Sequence, residues 1–182
     1  MAISLSSSQS STLEPLKKNR WVLQFTSVPG NSSDAAAKLA FCAHTCARPT
    51  ITYAQTEIQR LNERFYTAGK PTWSEMSMSF YDYIDGPTSV SDILWNWNQK
   101  IYSPITGAMG FKVEYAASGT LAMLDPSGGV VQIWNLFYVW PATLAYNDLS
   151  ADDETPVEVN ATFRYDYAVK GIDVNTTPST AA

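Results

Sequence analysis

The stretch that most limits how this chain can fold is Glu75-Met-Ser-Met-Ser-Phe-Tyr81. Met76, Met78 and Phe80 alternate with Glu75, Ser77, Ser79 and Tyr81. Successive side chains on a strand point to opposite faces, so this spacing predicts a strand with one apolar and one polar face. The polar face carries small hydroxyls and a carboxylate. It offers little to stick to and suits a wall past which something polar moves. The turn signal Ala68-Gly69-Lys70-Pro71 precedes it. A second stretch, Val157 to Tyr167, has the same character. Val157, Val159, Ala161, Phe163 and Tyr165 face one way, and Glu158, Asn160, Thr162, Arg164 and Asp166 face the other.

The remaining segments fit around these two. Arg20 to Ser27 reads as a strand with Trp21, Leu23 and Phe25 on one face, ended by Pro29-Gly30-Asn31. Asp34 to Leu39 suits a helical turn, and Leu39 to Arg48 reads as a strand stopped by Pro49. From Ile51 to Arg64 the chain is mostly polar, with Tyr53, Gln55, Glu57 and Gln59 at alternate positions. With Phe65 and Tyr66 it predicts a hairpin arm that leaves the body and pairs elsewhere, because a lone two-stranded hairpin is marginal in water. Asp85-Gly86-Pro87 is a turn signal. Thr88 to Tyr102 is the single clear helix: Ser89 and Asp92 form a capping box, and Val90, Ile93, Leu94, Trp97 and Ile101 make one stripe. Residues 103–118 read as loop. Thr120 to Leu124 and Val130 to Trp140 read as a hairpin around Asp125-Pro126-Ser127-Gly128-Gly129, with Pro141 as the stop and both faces of the second strand covered. Asp148 to Glu154 is an acidic exposed loop. The expected fold is mainly β, a sandwich or barrel-like domain with one flanking α-helix. It occupies residues 20–170, between an N-terminal arm of residues 1–19 and a C-terminal tail of residues 171–182.

Several functions are disfavoured by the totals. A net charge of −5 over 182 residues argues against a protein that binds nucleic acid by neutralising phosphates. No apolar run is long enough for a membrane-spanning helix, and the first residues lack the basic and apolar regions of a signal peptide. Cys42 and Cys46 on an extended segment lie too far apart to bridge, which predicts reduced thiols. On a strand Cys42, His44 and Cys46 share a face, so a metal site is conceivable, but a fourth ligand is wanting; small buried thiols beside a core or interface histidine fit better. His44 is the only histidine, and no nucleophile elbow or phosphate-binding glycine loop occurs. The sequence therefore predicts no enzyme, no cofactor and no metal. Trp95 and Trp97 could stack on a sugar in a ligand-binding sandwich, although Trp97 sits in the apolar stripe.

The order of these elements resembles the tail tube proteins of contractile-tailed bacteriophages. The resemblance spans most of residues 20–167. It rests on the early strand Trp21 to Phe25, the turn near Pro49, the polar hairpin, and the entry through Gly69 and Trp73 into the alternating strand. It continues with the helix bearing Leu94 and Trp97, the strand ending in Trp140-Pro141, the acidic loop and the final strand ending at Tyr165 or Tyr167. The resemblance implies hexameric rings stacked into a hollow tube, in which strands of each subunit join an inner inter-subunit barrel with the helix outside. Its partners would be further copies of itself, a sheath protein, and baseplate and tail terminator proteins. It would belong to the virion tail, assembled in the host cytoplasm, and DNA would pass through the lumen during ejection without specific binding and with no membrane contact. Related tubes serve type VI secretion and contractile injection. On this reading Glu75, Ser77, Ser79, Glu158, Asn160 and Thr162 line the lumen, with Arg164 paired to Asp166 or to an acid across the seam. Tyr53, Gln55, Glu57 and Gln59 form an inter-subunit arm.

Overall fold

The computed structural model describes residues 15–83 and 88–171. The Asp85–Pro87 turn, most of the N-terminal arm and the tail beyond Gly171 lie outside them. The elements run β1 (Trp21–Phe25), α1 (Ala35–Cys42), β2 (Ala43–Cys46), β3 (Ile51–Arg60), β4 (Glu63–Trp73), β5 (Met76–Tyr81), α2 (Val90–Ile101), α3 (Lys112–Tyr115), β6 (Ala117–Leu124), β7 (Val130–Tyr146), β8 (Glu158–Arg164) and β9 (Tyr167–Gly171). The protein is thus mainly β, as the two alternating stretches predict.

Seven strands are joined in the antiparallel order β1-β6-β7-β8-β5-β2, with β9 added to β7. The hinge of this arrangement is β7, which is 17 residues long. Its first part pairs with β6 and β9, and its last part, Trp140 to Tyr146, pairs with β8. Tyr138, two residues before the first β8 partner Trp140, has a φ of +57°. A bulky residue there is a strained outlier, and it marks where the strand leaves one half of the sheet for the other. The two halves face each other. Phe25 of β1 lies 5.6 Å from Phe163 of β8, and Trp97 of α2 closes the triangle at 5.4 Å from Phe25 and 5.6 Å from Phe163. All three rings are buried, as are Leu23, Met76, Met78, Phe80, Ile93 and Leu94 around them.

α2 starts as its sequence dictates. The Ser89 side chain caps the Asp92 amide, and Asp92 returns a bond to the Ser89 amide. Asp82, at the end of β5, adds a second carboxylate that accepts from the Val90 amide and the Ser91 hydroxyl. Negative charge at a helix N-terminus opposes the positive end of its dipole.

Four local expectations are corrected. The segment Leu39 to Cys42 is helical, because the Ala-rich run from Ala35 carries α1 through to Cys42; only Ala43–Cys46 is strand. Ala68-Gly69-Lys70-Pro71 is not a turn but part of β4, and the reversal falls at Leu61-Asn62. Pro141 does not end β7. A register shift between Pro141 and Thr143 absorbs the missing amide, as bulges do. The loop 103–118 contains α3 and the start of β6, so α2 is one of three helices among the described residues rather than the single one. In addition, the first residues of β7, Val130 and Val131, are half exposed instead of covered, and β9 was not foreseen.

Candidate assembly surface: a polar sheet face and a projecting hairpin

The half-sheet β7-β8-β5-β2 turns its apolar face to the core and its polar face outward. Registers align the polar residues in rows: Ser77 opposite Thr162, Ser79 opposite Asn160, and Tyr81 opposite Glu158. On the far side of β8, Thr143 and Ala145 of β7 continue the rows of Thr162 and Asn160. Met76, Met78 and Phe80, with Val159, Ala161 and Phe163, are buried on the other face.

The six wall residues differ in surroundings. Glu75, Ser77 and Asn160 are exposed, and Glu158 and Thr162 are half-buried. Ser79 is only 6% exposed, because β2 lies across it and the Thr45 and Ser79 hydroxyls meet at 2.6 Å. Arg164 Nη1 donates to Glu75 Oε1 at 3.1 Å, so its partner is the acid just before β5, not Asp166. Asp166 instead accepts from Lys112 Nζ at 2.6 Å. Asn160 Nδ2 donates to Asn147 Oδ1 at 3.0 Å. The sequence reading missed one member of this face. The His44 ring lies 4.4 Å from the Tyr81 ring, its Nε2 is 3.2 Å from the Tyr81 hydroxyl, and Glu158 is 4.0 Å away. The irregular register between Ala43 and Thr45 brings His44 and Thr45 together here, and no sequence period signals such a bulge.

The hairpin β3–β4 is exposed along almost its whole length. Its register runs from Ile51 opposite Trp73 to Arg60 opposite Glu63. Leu61 at the tip is fully exposed and has a φ of +53°. Near the base the register shifts between Tyr53 and Gln55, where β4 carries one extra residue between Ala68 and Pro71. There a side chain at Gly69 would begin 3.0 Å from the Ala54 carbonyl, so glycine lets the two backbones approach. The hairpin has two unlike faces. Glu57 and Gln59 share one with Arg64; Glu57 Oε1 forms an ion pair with Arg64 Nε at 3.3 Å and accepts from Gln59 Nε2 at 3.1 Å. Ile58 and Phe65, directly opposite each other, lie on the other face and are half exposed.

The candidate metal and catalytic residues do not form a site. Cys42 ends α1 and is buried, whereas His44 and Cys46 belong to β2, so the three do not share a strand face. No cluster of three potential metal ligands occurs among the described residues. Cys42 and Cys46 carry thiols, and burial pushes the Cys46 thiol up to about 12. Such a thiol stays protonated and is a poor nucleophile. Trp97 is fully buried and donates from Nε1 to the Tyr115 carbonyl at 2.7 Å, so it is core, while Trp95 is 43% exposed.

No protein-family model matches the sequence, and no curated protein matches it significantly. Solved structures do match in shape. A chain in the cryo-EM structure of the anti-feeding prophage tube-terminating cap superposes with a TM-score of 0.67 at 10% identity, over 94% of this chain and 100% of that one. A chain of the sheath–tube complex of an extracellular contractile injection system, PVC, in its extended state gives 0.64 at 15% identity, over 94% and 100%. A chain of the anti-feeding prophage baseplate gives 0.62 at 11% identity, over 87% and 97%. This chain has the fold of tube and cap proteins of contractile injection systems.

Proposed function

We propose that the protein is a structural, non-enzymatic subunit of a tail tube: copies close into hexameric rings, and the rings stack into a hollow conduit. The observation that carries this reading is the half-sheet β7-β8-β5-β2. It has one buried and one polar face, and among the described residues neither the outer edge of β2 nor that of Trp140–Tyr146 is paired with another strand. Such edges invite pairing, and closure into a barrel removes them. Joining β2 of one copy to β7 of the next would continue the sheet around an axis, with Glu75, Ser77, Ser79, Glu158, Asn160 and Thr162 toward the bore. The hairpin carrying Tyr53, Gln55, Glu57 and Gln59 would reach a neighbouring copy. Arg164 offsets Glu75, so the slipperiness of this wall rests more on short hydroxyls and amides than on repulsion of phosphate.

In this reading the tube belongs to a virion tail, with sheath, baseplate and terminator proteins as partners, and DNA passes through it on ejection. The likeness to chains of extracellular injection machines favours a second reading, the tube of a contractile injection or secretion system. Negative-stain microscopy of the concentrated protein tests both: long hollow rods are expected, and a strict monomer at every concentration would overturn the proposal. Particles purified from a producing culture separate the two readings. Nuclease-protected DNA within them fits a virion tail, and particles without DNA fit an injection system.

A further inference from the structure

The half-sheet β7-β8-β5-β2 carries an apolar hollow at one end, beside β2. About 480 Å³ in volume, it is lined by Ala37, Phe41 and Cys42 of α1, by Val90 at the start of α2 and by Tyr83 just past β5. Ala37 and Phe41 lie one turn apart and share a face of α1. The Phe41 ring stands 6.0 Å from the Tyr83 ring. Phe41 is 80% exposed and Tyr83 47%, so among the described residues nothing covers these two rings. The opposite edge of the half-sheet ends in a knob. Past Tyr146 the chain enters the acidic loop Asp148 to Glu154, in which Leu149 is the one large apolar residue and is 80% exposed.

Registers put hollow and knob at the same end of the half-sheet. Phe80 stands opposite Ala43, the first residue of β2, and opposite Val159, which in turn stands opposite Tyr146, the last residue of β7. The hollow lies just beyond one end of this row and the knob just beyond the other. All three pairings along the row are antiparallel, so β2 and Trp140–Tyr146 run in opposite senses. A ladder between β2 of one copy and β7 of the next would therefore continue the pattern of the sheet. Rotation about a closing axis keeps each end of the half-sheet at its own end of the ring. The knob of one copy then comes to the hollow of the next. Asp34 and Lys38 also line the hollow, and their charges cancel, so the acidic loop meets no net repulsion there. Resting on the ring proposed above, we propose that Leu149 of each copy inserts against Phe41 and Tyr83 of the next and pins the seam between β2 and β7. The contact is heterologous, so it repeats around a closed ring and leaves no copy unpartnered.

Disulfide trapping in assembled particles tests the contact. In a Cys42→Ala, Cys46→Ala background, Ala37→Cys places a thiol on the exposed rim of the hollow and Leu149→Cys places one on the knob. Oxidation should link copies into a ladder reaching the hexamer on non-reducing electrophoresis. Rods without a ladder, a bond within the monomer, or an equal ladder from Ser127→Cys in the β6–β7 turn would overturn the contact and leave the ring standing. A wild-type chain that stays monomeric would overturn the ring and the contact together. Phe41→Ser and Leu149→Ser alter exposed side chains, so each monomer should keep its circular dichroism spectrum. Each should raise the protein concentration needed for rods by about tenfold or more, because one apolar burial per seam is lost. Combined, the two should raise it by less than the product of the single effects, since both remove one shared contact. Unchanged thresholds would overturn the contact even if the cysteine chain does not assemble.

Discussion

Arg164, the last residue of β8, donates to Glu75, the residue just before β5, at 3.1 Å on the polar face of the sheet. Both side chains are more than two-fifths exposed. Exposed pairs of this kind contribute only about 0–1 kcal/mol. The pair matters more for the charge of the face than for the stability of the fold.

Glu75→Lys places an ammonium against the Arg164 guanidinium. The chain should fold, with a loss of about 1 kcal/mol or less by chemical denaturation. In assembled tubes the variant wall would gain two positive units per copy, and retention of DNA at low salt should rise and vanish as salt is added. Filter binding of wild-type and variant tubes across salt concentrations checks this. Equal retention would place Glu75 away from the bore.

Met78 is 2% exposed on the apolar face of the same strand. Met78→Ala should cost about 2–5 kcal/mol, and Met78→Asp should leave no folded protein, because an unpaired carboxylate would enter the core. Denaturant midpoints and soluble yield read both effects. A wild-type yield of Met78→Asp would invert the assigned facing of β5.

Trp97 joins packing to hydrogen bonding, since its ring fills the space between Phe25 and Phe163 and its Nε1 reaches the Tyr115 carbonyl. Trp97→Phe keeps much of the ring volume and strands that carbonyl, a loss of about 1–3 kcal/mol. Trp97→Ala adds a cavity and should cost about 3–5 kcal/mol. Equilibrium unfolding of the two variants should therefore separate the bond from the packing.

Cys46 gives a pH signature. Its thiol is held near 12 by burial, above the ordinary value of about 8.5 for an unfolded cysteine. The unfolded chain releases this proton first. The contribution to stability is complete below the ordinary thiol value and falls as pH rises from there toward about 12. Cys46→Ser should remove this part of the alkaline loss. Urea midpoints from pH 8 upward, compared between the two proteins, measure it.

The hairpin should be dispensable to the single chain and essential between chains. Ile58→Asp with Phe65→Lys makes an exposed face polar with opposite charges facing each other, so monomer stability should move by about 1 kcal/mol or less. Rod formation by microscopy should be lost if that face is covered in the assembly. Normal rods would show that the contact lies elsewhere on the hairpin.

How far the sequence reached depended on the range of each signal. The facing of Met76 to Tyr81 and of Val159 to Tyr165 was legible, because side-chain alternation is a property of one strand alone. The start of α2 was legible for the same reason: Ser89 and Asp92 satisfy each other within a single turn. Tertiary structure decided whatever required two distant segments. It covered Ser79 with Thr45, matched Arg164 to Glu75, and carried β7 through Pro141 on a bulge. It also straightened Ala68 to Pro71 into a strand, because the ladder to Tyr53 and Gln55 outweighed the local preference of glycine and proline for a turn. The physical reason is register: period and capping are written in neighbouring residues, whereas which row meets which is settled only when separate strands come together.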